Sequence, residues 1–309
     1  MPLLHIEHPE DAILTGDLDP LDWMATPGRL SLKIDGSPAI IWGTDPTDGK
    51  FFVGTKSVFN KKTPKLIKSI KDLSTHGYEG ELFDILFHCF RFLPRTEAIY
   101  QGDFMGYGGE KEVTPNVLTY EFEEPIMANI IVAPHTVHVG NWDDGIRDTA
   151  PVPLKHGQLE STMYCHFVQP KAWAHDYDYD YWENDEGQER FYIQEKVNFA
   201  KQMATLVKFA SKREASKIKK ALNACVREQR EVIPEEFTDL CDINLIRLWL
   251  LVNDMKHQML ASCCHEATIR TLYEWDYVPP EGFVFDNGYG TYKLVDRNCF
   301  SFVNFHANG

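Results

Sequence analysis

Leu32-Lys33-Ile34-Asp35-Gly36-Ser37-Pro38 reads as a strand that ends in a tight turn, with a lysine at the strand's mouth and an aspartate two residues on. Apolar residues lead into the lysine (Leu30, Leu32), and Pro38-Ala39-Ile40-Ile41-Trp42 leads out into a second strand. Gly36 lets the chain turn where other residues resist it. A lysine so placed loses part of its hydration, which favours the neutral amine, and the neutral amine is a nucleophile. The same Lys-x-Asp-Gly also makes an ordinary surface turn with a solvated lysine. Other stretches decide between the two.

The chain has 309 residues, 43% of them hydrophobic and 13% aromatic, enough for one large domain or two modest ones with a sizeable core. No apolar run approaches the length of a membrane span, and Met1-Pro2-Leu3-Leu4-His5 is no secretory signal, so no membrane partner is expected. Seven cysteines without a Cys-x-x-Cys pair fit a reduced, cytoplasmic setting without zinc, and Cys263-Cys264 read as core helix residues. The net charge of −15 argues against a nucleic-acid partner when read alone, but distribution matters more than the total. Residues 50 to 71 hold seven lysines and no acid, and follow the Lys33 turn, so they read as phosphate-facing. Residues 196 to 230 hold ten basic residues, which read equally as a solvated face or a binding face.

Taken in order, Pro20 to Met24 reads as a short helix, and Leu30 to Lys33, Ala39 to Trp42 and Phe51 to Gly54 as strands. Asp45-Pro46-Thr47-Asp48-Gly49 joins the last two as a hairpin. Lys65 to Leu73 has helical spacing, and Glu81 to Leu93 carries Leu82, Ile85, Leu86, Cys89, Phe90 and Leu93 on one helical face. Ala98 to Tyr107, Val117 to Phe122 and Ala128 to Val139 read as strands. His135-x-x-His138 has the look of a metal pair, but strand alternation puts the rings on opposite faces. Asp176-Tyr-Asp-Tyr-Asp-Tyr-Trp resembles the start of a calcium loop but lacks its glycine and its final glutamate, so it reads as a solvated acidic loop. Ile193 to Lys212, Glu214 to Arg230 and Leu240 to Glu274 read as helices, the last either continuous or broken once, after which Pro279-Pro280 stops the run. Gly282 to Asp286 and Tyr292 to Val295 are strands joined at Asp286-Asn287-Gly288.

Five stretches follow one another in the order found in the covalent nucleotidyltransferases, the ATP-dependent RNA and DNA ligases and the mRNA capping guanylyltransferases. Lys33-Ile34-Asp35-Gly36 resembles the motif whose lysine carries AMP or GMP. Val53-Gly54-Thr55-Lys56-Ser57 resembles the motif whose basic side chain meets ribose or phosphate. Tyr100-Gln101-Gly102-Asp103-Phe104 resembles the strand with an acid near sugar and metal. Glu281-Gly282-Phe283-Val284-Phe285 matches the Glu-Gly strand, and Tyr292-Lys293-Leu294 resembles the last strand, whose lysine touches the α-phosphate. Residues 140 to 275 are unmatched.

The resemblance implies an α+β fold: an antiparallel-sheet, ATP-grasp-like adenylation domain (residues 1–189 and 276–309) with a helical insertion at 190–275. It implies ATP and magnesium, with manganese as the substitute ion. Lys33 would be the nucleophile and Lys293 its catalytic partner. Leu32, Ile34, Asp35, Gly36, Lys56, Asp103, Tyr120, Phe122, Glu281 and Lys293 would surround the nucleotide, and Asp103 and Glu281 would hold the metal. For the attack, the pKa of Lys33 must fall well below the free value of about 10.4. Glu81 in Tyr78-Glu79-Gly80-Glu81-Leu82 is second to Asp103 for the third-motif acid, because it opens a helix. Tyr120 and Phe122 read either as the purine platform or as core rings.

Three places depart from the family pattern. Asp103 stands where Glu is usual, and Val295 where a second lysine is usual, with Arg297 as a substitute for that charge. Leu32 stands where the ATP-dependent members often carry Glu. Capping enzymes and most DNA ligases append a small β-barrel, for which 16 residues after Lys293 leave no room. The layout resembles that of compact, phage-type RNA ligases with a helical module, and it is the missing barrel that favours ATP over GTP. The expected partner is a polynucleotide with 5′-phosphate and 3′-hydroxyl ends, RNA ahead of DNA, handled by a monomer. A nucleotidyltransferase acting on a protein or an RNA end, and a non-catalytic nucleic-acid module, are the alternatives.

Overall fold

The computed structural model describes residues 6–140, 146, 149–155, 157–174, 186–266, 268–273 and 276–297, with side chains from 193 onward in the helix that starts at 186. In chain order the elements are α1 (Pro9–Ala12), α2 (Asp19–Ala25), β1 (Arg29–Leu32), β2 (Ala39–Thr44), β3 (Phe51–Gly54), α3 (Ile70–Thr75), α4 (Gly80–Phe92) and β4 (Ile99–Tyr107). There follow β5 (Glu112–Val113), β6 (Thr119–Glu121), β7 (Ile130–Gly140), β8 (Thr149–Pro153), β9 (Cys165–Phe167) and β10 (Ala172–Ala174). The chain then runs through α5 (Glu186–Ala204), α6 (Lys212–Arg227), α7 (Ile243–Ser262), β11 (Cys263–His265), β12 (Arg270–Tyr273), β13 (Asp276–Val278), β14 (Gly282–Asn287) and β15 (Gly290–Val295). The class is α+β, and among the described residues the strand pairings are antiparallel except β7 with β9. Among the described residues no helix is long and apolar enough to cross a membrane. The acidic loop at Asp176 to Trp182 lies outside the described residues.

The described residues fall into two compact units. The sheet unit gathers those within Ile34–Pro170 and Ala267–Pro280. Its main sheet runs β3-β2-β4-β7-β8, with β9 beside β7. Strand alternation splits β2 between two cores: Ile40 and Trp42 face one and Ile41 the other. The larger core takes Ile85, Leu86 and Cys89 from α4, and Trp42 stacks on Phe167 with centroids 5.9 Å apart. Each fully buried side chain of this size contributes about 1.5–3 kcal/mol. A second sheet runs β13-β12-β6-β5.

The helical unit gathers the described residues within Ile6–Lys33, Lys171–Glu266 and Glu281–Gly309. Its sheet is β1-β14-β15, flanked by the pair β10-β11. Leu30, Leu32, Phe283, Phe285, Tyr292 and Leu294 pack in one core with α2, α5 and α7. Trp23 meets Phe285 and Tyr292 edge-on, at 5.2 and 5.1 Å. Helix α7 serves two cores: Leu248, Val252, Met255 and Met259 face the sheet, and Leu245, Ile246 and Trp249 face α6. A helix apolar on most of its faces follows from that double burial.

Three expected elements come out differently. The helix expected over Leu240 to Glu274 is α7 followed by β11 and β12. The run Thr268-Ile269-Arg270-Thr271-Leu272-Tyr273 is β-branched and aromatic, and pairing with β6 uses those shapes better than a helix does. Cys263 and Cys264 are therefore half-buried strand residues, not core helix residues. The helix expected over Lys65 to Leu73 starts only at Ile70, because Ser69 and Asp72 form a capping box there. Before it, Ile67 pairs with Val53 through two backbone hydrogen bonds, of 3.0 and 2.9 Å. The helix expected over Ile193 to Lys212 ends at Ala204, and Ser211 with Glu214 caps the next one.

Candidate active site

In the helical unit, the ladder between β1 and β14 continues one step past Leu32. The Lys33 N–H donates to the Gly282 carbonyl at 2.9 Å. Beyond that bond the Lys33 amine contacts the Glu281 carboxylate, with 14% and 13% of the two side chains exposed. The amine is thus in contact with an acid and mostly out of water. Gly282 makes this possible. It sits at φ +143°, and a Cβ there would stand 2.2 Å from the Leu294 carbonyl. Only glycine lets β14 close on β15 directly after the glutamate.

Register places Ser31, Val284 and Lys293 in one row across β1, β14 and β15. Alternation puts Lys33 on the face of Ser31, hence on that of Lys293, roughly 12 Å away by strand spacing. The opposite face is the core, and Leu32 packs into it opposite Phe283. Lys293 is half-buried, and its N–H donates to the Glu7 carbonyl at 3.0 Å. Val295 is 4% exposed and belongs to the packing. Arg297 does not replace the missing lysine charge on this face. It is buried, with its guanidinium against Asp11 at 2.5 Å and Glu10 at 3.2 Å.

In the sheet unit, the turn after Ile34 lies on β4. The Ser37 N–H donates to the Phe104 carbonyl at 2.9 Å. A Cβ on Gly36 would stand 2.4 Å from that same oxygen and 2.9 Å from the Asp103 Cβ. Close approach, not a left-handed backbone, requires the glycine. The Asp35 N–H donates to the Tyr120 hydroxyl at 3.0 Å, and Asn116 Nδ2 donates to the Asp35 carbonyl at 3.2 Å. Tyr120 and Phe122 are buried, at 4% and 5% exposure, and Phe122 meets His166 edge-on at 6.2 Å. Asp103 is 18% exposed, and His135 Nε2 lies 3.9 Å from its Oδ1. His138, on the other face of β7, is buried. Lys56 is exposed on a 3-10 turn, Lys56–Phe59, that Thr55 caps just past β3. Glu81 lies in the first turn of α4 and is exposed, leaving Asp103 as the strand acid.

Lys33, Glu281 and Lys293 thus belong to one unit, and Asp35, Gly36, Lys56, Asp103, Tyr120 and Phe122 to the other. His135 and Asn116 add themselves to the second set. Sequence spacing gives no sign of Asn116, which arrives by a loop; His135 stands out only as half of a discounted metal pair, and cross-strand register brings it to Asp103. The lysine-rich run is only partly a phosphate face. Lys68 is bound to Asp45 at 2.6 Å and Asp48 at 2.9 Å, and Lys65 donates to the His76 carbonyl. Among the described residues no three His, Cys, Asp or Glu side chains gather as a metal nest. Magnesium does not need one, since it is held by one or two carboxylates together with substrate phosphates. Asp103, 18% exposed, lies in the sheet unit, and Glu281, 13% exposed, in the helical unit.

No curated protein and no solved structure matches the chain. A family model covers residues 4–242 and 238–308, nearly the whole length. The chain therefore belongs to the family of unknown function DUF6267.

Proposed function

We propose that this protein is an ATP-dependent polynucleotide ligase of RNA type that works through a covalent lysyl-AMP at Lys33. The observation that supports this reading is the contact between the Lys33 amine and the Glu281 carboxylate, both largely out of water. In the first step Nζ attacks the α-phosphorus of ATP. An N–P bond forms, the P–O bond to pyrophosphate breaks, and the amine loses a proton. Glu281, already in contact with the amine, is the group positioned to take that proton. Lys293, on the same face of the sheet, supplies positive charge toward the α-phosphate. Magnesium, for which Asp103 and Glu281 are each a proposed carboxylate ligand, would screen the phosphate charge when bound. In the second step the N–P bond breaks as AMP passes to a 5′-phosphate. In the third a 3′-hydroxyl attacks that phosphorus and AMP leaves.

The test is incubation with α-labelled ATP or GTP and magnesium, followed by a denaturing gel. Label should stay on the wild-type chain and disappear in Lys33→Ala, and Glu281→Gln should slow its appearance. A wild-type chain that takes no label from either nucleotide sinks the reading. A second reading draws support from the net charge of −15 and from Val295: transfer of the nucleotide to a protein or an RNA end. Chasing the label with 5′-phosphorylated RNA or nicked DNA separates the two. Sealed strands support ligation, and label transferred without sealing supports the second.

A further inference from the structure

Helix α6 carries two opposed faces. Ala215, Ile218, Leu222 and Cys225 are buried in the core it forms with α7. At about 100° per residue, Lys212, Arg213, Lys217, Lys220 and Arg227 fall within an arc of about 140° on the other side. No acid falls within that arc. Glu214 is turned into the cap, where it accepts from the Ser211 N–H and hydroxyl at 2.8 and 2.7 Å. Lys212, Arg213, Lys217 and Lys220 are all exposed. Several other cations of this region pair with carboxylates. Lys219 pairs with Glu7, Lys201 with Asp22, Lys196 with Asp254, and Arg230 with Glu228 and Glu236. In a chain of net charge −15, an acid-free stripe of cations stands apart.

We propose that this face of α6 binds the sugar–phosphate backbone of a single-stranded polynucleotide. The inference rests on the ligase reading and names the surface that holds its substrate. Charge complementarity carries it. Lys212 to Arg227 spans about 22 Å, and the cations recur along that length, so a strand laid along this face meets several of them in succession. A basic amphipathic helix can also lie on a membrane, but that mode needs its apolar side free, and here that side is in the core. Backbone binding by lysine and arginine is sequence-independent and steeply salt-dependent.

The experiment uses the full chain and a fluorescein-labelled, 5′-phosphorylated single-stranded RNA, with anisotropy read at several salt concentrations. The quadruple variant Lys212→Gln, Arg213→Gln, Lys217→Gln, Lys220→Gln should bind at least tenfold more weakly. Its log–log salt slope should be smaller by about 3, from ~0.7 per phosphate contact. An unchanged thermal midpoint shows that the variant is folded. Unchanged affinity and slope in a folded variant overturn the proposal. So does loss of binding in Lys50→Gln, Lys61→Gln, Lys62→Gln instead. Vesicles containing phosphatidylserine form a further arm, and binding to them without binding to RNA also overturns it. Nucleotide labelling of Lys33, read without RNA, tests the ligase reading separately. Absence of label together with α6-dependent RNA binding would remove that reading and leave this surface standing.

Discussion

Lys256 donates to Glu10 at 2.7 Å across 246 positions of chain, and neither side chain has any exposure to solvent. Arg297 and Asp11 complete the cluster, and Trp249 Nε1 donates to Asp11 at 3.2 Å. These contacts tie α1, α7 and the end of the last strand into one unit. Burial drives the Lys256 ammonium toward its neutral form, against the pull of Glu10. Removing Lys256 leaves buried Glu10 with Arg297, 3.2 Å away, a loss toward the ~3–5 kcal/mol of a broken buried pair, whereas replacing both Lys256 and Glu10 with apolar groups is often neutral. Lys256→Met should therefore lower the thermal midpoint by about 10 °C, at ~2–4 °C per kcal/mol. Glu10→Leu with Lys256→Met should recover most of that loss. Scanning calorimetry of the three proteins decides, and a double variant no better than the single one means the two charges are not coupled.

His138 gives the fold a pH dependence with a definite sign. Burial first, and the neighbouring His135 second, push its pKa down from 6.5 to about 4. Between those values the unfolded chain binds more protons than the folded one, so stability falls as pH drops through the window and is held above it. At ~1.36 kcal/mol per tenfold in proton affinity, the effect approaches about 3 kcal/mol near pH 4. His138→Asn, which can keep a partner in Gln101, should flatten the fall of the thermal midpoint between pH 6.5 and 4.5. Parallel curves for the two proteins would remove His138 as the cause.

Local chemistry made much of this fold legible. Asp45-Pro46-Thr47-Asp48-Gly49 turns as its residues demand, with the Asp45 N–H on the Lys50 carbonyl at 2.8 Å. The α4 pattern points Ile85, Leu86 and Cys89 inward, as its spacing foretells. Long-range pairing was not legible. Lys33 and Glu281 are 248 positions apart, and motif order alone does not say that their side chains touch. Nor does a lysine run say which of its members are neutralised. Lys68 finds Asp45 and Asp48 close by, whereas Lys219 finds Glu7 212 positions away. The two basic runs accordingly exchange weight: the first is partly consumed by its own hairpin, and the second presents a clean face on α6.

Gly36 is the residue of the Lys33 turn that tolerates least. Its added Cβ would meet a backbone oxygen at 2.4 Å and the Met105 sulfur at 2.9 Å. The sulfur is flexible, but the Phe104 carbonyl belongs to a paired strand and cannot retreat. Gly36→Ala should cost about 1–3 kcal/mol through overpacking. It should also lift the turn from β4 and cut nucleotide labelling of Lys33 by more than tenfold. Full labelling at an unchanged thermal midpoint would show that the turn has room to move.

Tyr120 gives the sharpest test of what holds Asp35. Its ring is buried and its hydroxyl accepts the Asp35 N–H, so the side chain acts through its oxygen as well as its face. Tyr120→Phe keeps the ring and removes the acceptor. The Asp35 N–H then loses its partner, at a cost of about 1–3 kcal/mol, and the turn beside Lys33 loosens. Half-maximal labelling should need roughly tenfold more ATP, at ~1.4 kcal/mol per tenfold, with the final extent of labelling kept. Tyr120→Leu removes ring and oxygen together. If the ring also stacks on the purine, the leucine variant should lose clearly more than the phenylalanine one. A phenylalanine variant that labels like wild type, beside a leucine variant that fails, would assign the whole role to the ring and none to the hydrogen bond.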